Sequence, residues 1–154
     1  MAEPPLWQRL LGLLAYLLPW SDALNFGREI YGLFPWIQYL VLPATPVLLL
    51  QRAIPFGGFL LFLVLFLVVV RNPQVPYFLR FNVLQAILLD IVLVVLSLAF
   101  NVLLSPLGNS LMLRTLNNTV FIGTLVLVLY ALVQCSRGRE PDLPSLSEAV
   151  RMQL

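Results

Sequence analysis

A chain of 154 residues that is 60% hydrophobic and 10% charged, against about 25% charged in soluble domains, carries more apolar surface than a water-soluble fold of this size can cover. Its formal net charge of +2 rests on nine arginines and no lysine, with no basic stripe interleaved with aromatics, which excludes a nucleic-acid interface. One cysteine, Cys135, and no histidine exclude an internal disulfide, a thiolate or histidine metal cage, a haem axial histidine and a histidine-based triad. No catalytic residue, cofactor or metal is therefore expected, and the class implied is a single all-α membrane domain over residues 1–154.

Leu6 to Trp20 holds a short apolar core, Leu10 to Leu18, preceded by Arg9 and closed by Pro19. Runs of roughly 10 to 14 apolar residues are more often interfacial or re-entrant than spanning. Residues 5–20 are accordingly expected to form a short interfacial or re-entrant helix. A signal peptide fits less well, because Glu3 offsets Arg9 and no small-x-small site follows Leu18. Ser21 to Tyr31, with Asp22, Asn25, Gly27, Arg28 and Glu29, is expected at the membrane surface.

Four spans are predicted, at about 33–50, 56–70, 80–104 and 118–135. The first is interrupted by Pro43 and Pro46, which remove backbone donors that lipid cannot replace, so it should be kinked and packed against protein. Ile54-Pro55-Phe56-Gly57-Gly58 is a turn, and Phe59 to Val70 has no polar side chain. The densest polar signal follows, from Val70 to Ile91, where Arg71-Asn72-Pro73 and Pro76 make a tight hairpin and Arg80-Phe81-Asn82 opens the next helix. At 100° per residue Asn82, Ala86, Asp90, Ser97 and Asn101 share one face, with Gln85 on its edge. Ser105 to Ser110 reads as a loop, after which Asn118 or Thr119 can cap the last helix. That helix aligns Thr119, Gly123, Tyr130 and Gln134, a second small and polar stripe, so the two helices are expected to pack on each other. Residues 136–154 form a polar tail in which Ser145-Leu146-Ser147-Glu148 matches a capping box.

Asp90 is the sharpest candidate site, since a charge at mid-membrane costs about 2.5–3.5 kcal/mol on insertion scales. It either lines a water-filled path or helix interface, bonded to Tyr130 or Gln134, or is a protonated acid that fixes helix register. Arg71 and Arg80 either contact partner subunits or a passing polypeptide, or snorkel to the interface and set topology. Asn82, Gln85, Gly123 and Gln134 read as packing and interhelical hydrogen bonding, or as a ligand site. With 33–50 as the first of four spans and both ends inside, the arrangement expected, seven arginines fall on one side and only Arg52 and Arg114 on the other; if 6–20 spans instead and the proline-broken run is re-entrant, or if there are five full spans with the N-terminus outside, the count is six to three. Either way the C-terminus and the Val70–Ile91 hairpin lie on the arginine-rich side, cytoplasmic or stromal.

Ile54-Pro55-Phe56-Gly57-Gly58, Val70-Arg71-Asn72-Pro73, Arg80-Phe81-Asn82 with Gln85 to Asp90, Asn118-Thr119-Val120-Phe121 with Gly123, and Ser147-Glu148-Ala149-Val150 resemble, in order, the Tic-twenty family. The similarity covers about residues 10 to 153. The family comprises small polytopic components of the protein translocon of the chloroplast inner envelope, with cyanobacterial counterparts. The resemblance implies a four-helix membrane domain, other translocon subunits or a second copy as partners, a translocating polypeptide as a further one, and no catalytic residue. The opening Met1-Ala2-Glu3-Pro4-Pro5-Leu6-Trp7-Gln8 does not resemble a Ser- and Arg-rich transit peptide. It is similar to a cyanobacterial or plastid-encoded form, for a plasma or thylakoid membrane or a plastid inner envelope. A small-solute or ion transporter using Asp90, and a structural subunit of a larger membrane complex, are the alternatives to a transport component.

Overall fold

The structure, a computed structural model, describes residues 4–55, 57–104, 106, 111–139, 141, 143 and 146–153. It is 86% helical. In chain order, α1 (Leu6–Ala15) and α2 (Leu17–Ala23) lead through a 3-10 turn, Leu24–Phe26, to α3 (Arg28–Leu33). A 3-10 helix, Pro35–Ala44, runs into α4 (Thr45–Ala53), and α5 (Gly57–Val64) into a π-helical segment, Leu65–Val70. Then come α6 (Tyr77–Leu103), α7 (Leu111–Ser136) and α8 (Leu146–Gln153).

Among the described residues, α6 and α7 are the two helices long and apolar enough to cross a membrane. At 1.5 Å per residue each reaches roughly 40 Å, against a hydrocarbon core of about 30 Å. Neither has an internal proline; Pro76 immediately precedes α6 and Pro106 follows its end, both outside the hydrogen-bonded ladder. The expected bounds of α6 hold to within three residues. α7, however, begins seven residues before the expected 118, and Asn118 and Thr119 cap nothing. Thr115 and Thr119 donate their hydroxyls to the carbonyls of Leu111 (2.8 Å) and Thr115 (2.7 Å), so these polar residues sit inside a continuous helix. The loop expected at 105–110 lies, apart from Pro106, outside the described residues, as does Ser145 of the expected cap on α8.

The span expected at 33–50 is not one helix. Pro43 lies within the 3-10 helix, and Pro46 occupies the second position of α4, where a backbone donor has no intrahelical acceptor to lose. The span expected at 56–70 is 14 residues of α5 and π-helix, about 21 Å at 1.5 Å per residue. Pro35–Ala53 and Gly57–Val70 are bent by 109° at the turn between them, and only as one bent unit do they meet the requirement for crossing. Two helices, or three counting that unit, therefore qualify, fewer than the four expected. Glycine is needed at the bend: a Cβ on Gly57 would lie 2.7 Å from the Gln51 carbonyl oxygen.

The largest correction concerns residues 5–20, which do not lie apart from the bundle as the expected interfacial helix would. α1 and α2 pack along α6 and α7 and separate them. Gly12 makes the approach possible, since a Cβ there would sit 2.8 Å from Cys135 Sγ and 3.4 Å from Asn82 Cβ. The helix breaks at Tyr16 and restarts, which puts Pro19 in the first turn of α2, where proline costs no hydrogen bond. Tyr16 then packs between Ala86 and Leu89 of α6 and Val128 and Ala131 of α7. Trp20 stacks at 5.5 Å on Phe121 and shares a cluster with Leu93, while Phe26 meets Phe100 edge-on at 5.6 Å. At the opposite end the Arg9 guanidinium donates to the Ser136 carbonyl (3.4 Å). Residues 9–26 thus run the length of α6 from Asn82 to Phe100.

The tail is also packed. Gly138, at φ +79°, ends α7, with Arg139 N–H bonding back to the Gln134 carbonyl (2.9 Å). The chain reverses, and α8 docks on the first half of α6, burying Leu143, Ser147 and Val150 and laying Arg151 5.3 Å from the centre of the Phe81 ring. A segment expected to be a polar tail is part of the core.

Candidate functional site

The inward face of α6 carries Asn82, Gln85, Ala86, Leu89 and Leu93, spaced by three and four residues, with Asp90 at its edge. Asn82 and Gln85 are fully enclosed, and every polar group on them has a partner. Tyr16 donates to Asn82 Oδ1 (2.9 Å), and Asn82 Nδ2 donates to the Phe78 carbonyl one turn back (2.9 Å). Gln85 Nε2 donates to the Tyr16 hydroxyl (3.0 Å) and to the Pro141 carbonyl (3.1 Å). Its Oε1 accepts from Ser147, whose hydroxyl also faces the Pro141 carbonyl (3.0 Å) and accepts from Leu143 N–H (2.8 Å). One carboxamide therefore ties together the N-terminal helices, α6 and the tail.

Two turns further along α6, Asp90 is handled differently. It is 9% exposed, and its Oδ1 has no hydrogen-bond partner among the described residues. The group against it is Asp22 of α2, not Tyr130 or Gln134. Asp22 was expected at the membrane surface; the crossing of α2 over α6 brings it to the middle of the helix instead. Two carboxyls side by side in apolar surroundings repel if both are charged.

Arg80 and Arg71 serve the hairpin between the π-helix and α6. Arg80 Nε donates to the Val70 carbonyl (3.0 Å), satisfying the last carbonyl of the π-helix, while Arg71 lies 5.2 Å from the centre of the Phe66 ring. Asn101, Gly123 and Tyr130 are not drawn into the site. Asn101 and Tyr130 are exposed, Gln134 is half-buried, and a Cβ on Gly123 would meet nothing within 4 Å. The stripe expected to pack on α6 faces outward. The inner face of α7 is Phe121, Thr124, Val128, Ala131 and Cys135, an alternating spacing of three and four that the polar residues drew attention away from. Tyr16, Asp22, Gln51 and Ser147 are the site residues that sequence reasoning missed. Among the described residues no group of three or more acids, cysteines or histidines could hold a metal ion.

The arrangement defines a class: a helical membrane protein in which Tyr16, Asn82, Gln85 and Ser147 form a buried hydrogen-bonded cluster and an acid pair lies at the edge of the bundle. The chain belongs to the Tic20 family, whose model, described as chloroplast import apparatus Tic20-like, matches residues 1–150. Among its relatives are a Tic20 family protein of Synechocystis, 37% identical over 95% of this chain and 92% of the relative. Protein TIC 20-v, chloroplastic, of Arabidopsis thaliana is 35% identical over 95% of this chain and 70% of that protein. Protein TIC 20, chloroplastic, of pea is 27% identical over 99% and 60%.

Proposed function

We propose that this chain is a non-enzymatic, multi-pass subunit of a protein-transport complex, forming one domain in a cyanobacterial plasma or thylakoid membrane or a plastid inner envelope. The observation that carries the reading is the family match across 150 of 154 residues, to a family described by chloroplast import. In this reading residues 6–26, the bent unit 35–70, α6 and α7 are four successive passages, and both ends lie on the same side. Arg9 beside Ser136, and Arg80 beside Val70, support that arrangement. Six arginines then fall on the side of the termini and two, Arg28 and Arg114, opposite, with Arg52 within the bent unit, which makes the side of the termini cytoplasmic or stromal.

The test is extraction in mild detergent and identification of co-purifying membrane subunits, followed by photo-crosslinking to an arrested translocating chain. Partners that cross-link to that chain are expected. If instead the purified chain alone moved an ion or small solute in liposomes, and lost this on Asp90→Asn, the transport-component reading would be wrong and the transporter reading correct. The Asp22–Asp90 pair is the observation favouring that second reading.

A further inference from the structure

A pocket of about 410 Å³ opens beside Asp90 where α2, α4, α5 and α6 meet. Its polar side chains are Asp22, Gln51 and Asp90, and its walls include Phe59, Phe62 and Ile91. Among the described residues, no basic one lines it. Three features describe a ligand. The unpartnered, enclosed Oδ1 of Asp90 is an acceptor with nothing to accept from. Two carboxyls offer four acceptor oxygens, enough for the three N–H donors of a primary ammonium. Phe59 and Phe62, stacked with centroids 6.3 Å apart, form an apolar wall for the stem of a ligand. A hard metal ion would want six or more oxygens, which three side chains do not supply.

We propose that this pocket binds a primary ammonium group on an apolar stem, supplied by a lysine side chain of a polypeptide lying within the bilayer. Depth selects that source over a lipid headgroup. Asp90 is residue 14 of the 27 in α6, roughly 20 Å from either end at 1.5 Å per residue, whereas headgroup amines sit at the ends. The mouth lies between exposed Phe59 and exposed Val94 and Val95, open sideways to a chain in the membrane. The polypeptide occupant rests on the transport reading; the ammonium site itself does not.

The probe for the site is n-butylammonium, titrated onto the full chain in phosphatidylcholine nanodiscs while thermal unfolding is followed. It should raise the melting temperature by several degrees, and 1-butanol and sodium at the same concentrations should not. Asp22→Asn and Asp90→Asn should each remove the shift. An equal response to butanol, or a shift retained in both Asn variants, overturns the site. Should a variant fail to fold, the butylammonium and butanol comparison on the wild type still decides. For the occupant, a photo-reactive residue at position 94 should capture an apolar membrane peptide bearing one central lysine, and not its norleucine counterpart. Phosphatidylethanolamine nanodiscs that abolish the butylammonium response would assign the site to a headgroup and overturn the polypeptide occupant. Capture failing while butylammonium binds would overturn it too, leaving the ammonium site standing.

Discussion

Changing Gln85 to Leu keeps side-chain volume close to native but deletes the carboxamide that joins the tail to α6. Two of its polar contacts reach the tail: Nε2 to the Pro141 carbonyl and Oε1 to the Ser147 hydroxyl. After the change Ser147 can turn its proton wholly to Pro141, 3.0 Å away, so no tail group need be left without a partner. Between the tail and α6 the loss is two buried hydrogen bonds, about 2 kcal/mol at about 1 kcal/mol each, and the bond from Gln85 to Tyr16 is lost besides. If that energy holds α8 down, the undocked population rises about 30-fold, since 1.4 kcal/mol is tenfold. Hydrogen exchange by mass spectrometry measures this directly in detergent or nanodiscs. Backbone amides at 147–151 should exchange about 30 times faster, while those at 124–135 in α7 stay within twofold. Exchange in α8 that is unchanged would refute the claim that Gln85 secures the tail; equal acceleration in α7 would show that the whole bundle, not the tail, depends on it.

Gly12→Ala should cost about 1–3 kcal/mol, the range for overpacking, because the new methyl meets Cys135 Sγ at 2.8 Å; thermal unfolding should show the loss, and adding Cys135→Ala should return part of it. Asp90→Asn should stabilise the isolated chain by about 1 kcal/mol, since a carboxamide always carries a donor for Asp22 and never places a second negative charge beside it; a lower melting temperature would contradict the reading of the acid pair. Gly123→Leu should leave monomer stability within about 0.5 kcal/mol, as expected of a surface change, because nothing lies within 4 Å of the site; a change in complex size on native gels would then report contact with another subunit through the outer face of α7.

How far the sequence could be read follows from which signals are local. α6 was legible nearly to the residue, because an unbroken apolar run between prolines needs no partner to define it. Its interior polar face was legible too, as far as Asn82, Gln85 and Asp90, since a fixed 100° step decides which residues share a side. What each one meets was not. Tyr16 reads as one aromatic in a short apolar run, and only the break at residue 16, which brings Pro19 into a first turn, lets α1 and α2 continue along α6. Asp22 reads as interfacial for the same reason: its depth depends on the path of α2. The tail was misjudged because composition counts its charges, whereas burial depends on Leu143, Ser147 and Val150 falling on one side of a chain reversed at Gly138.

Satisfaction of hydrogen bonds separates residues that hold the bundle from residues held ready by it. Asn82, Gln85 and Ser147 are buried with all their polar groups partnered, which is what packing alone demands of a polar residue in an apolar interior. Asp90 breaks that rule on the same helix, only five residues beyond Gln85. A residue whose task was to fix register would gain from the partners its neighbours have, and Asn at this position would supply them without a charge. Asp90 also marks a change in α6 itself: the residues before it are enclosed, while Ile91, Val92, Val94 and Val95 beyond it are exposed. The unsatisfied carboxyl stands where the protein interior gives way to the lateral surface. In the arrangement proposed above, that boundary is where the Asp22–Asp90 pocket opens to the bilayer.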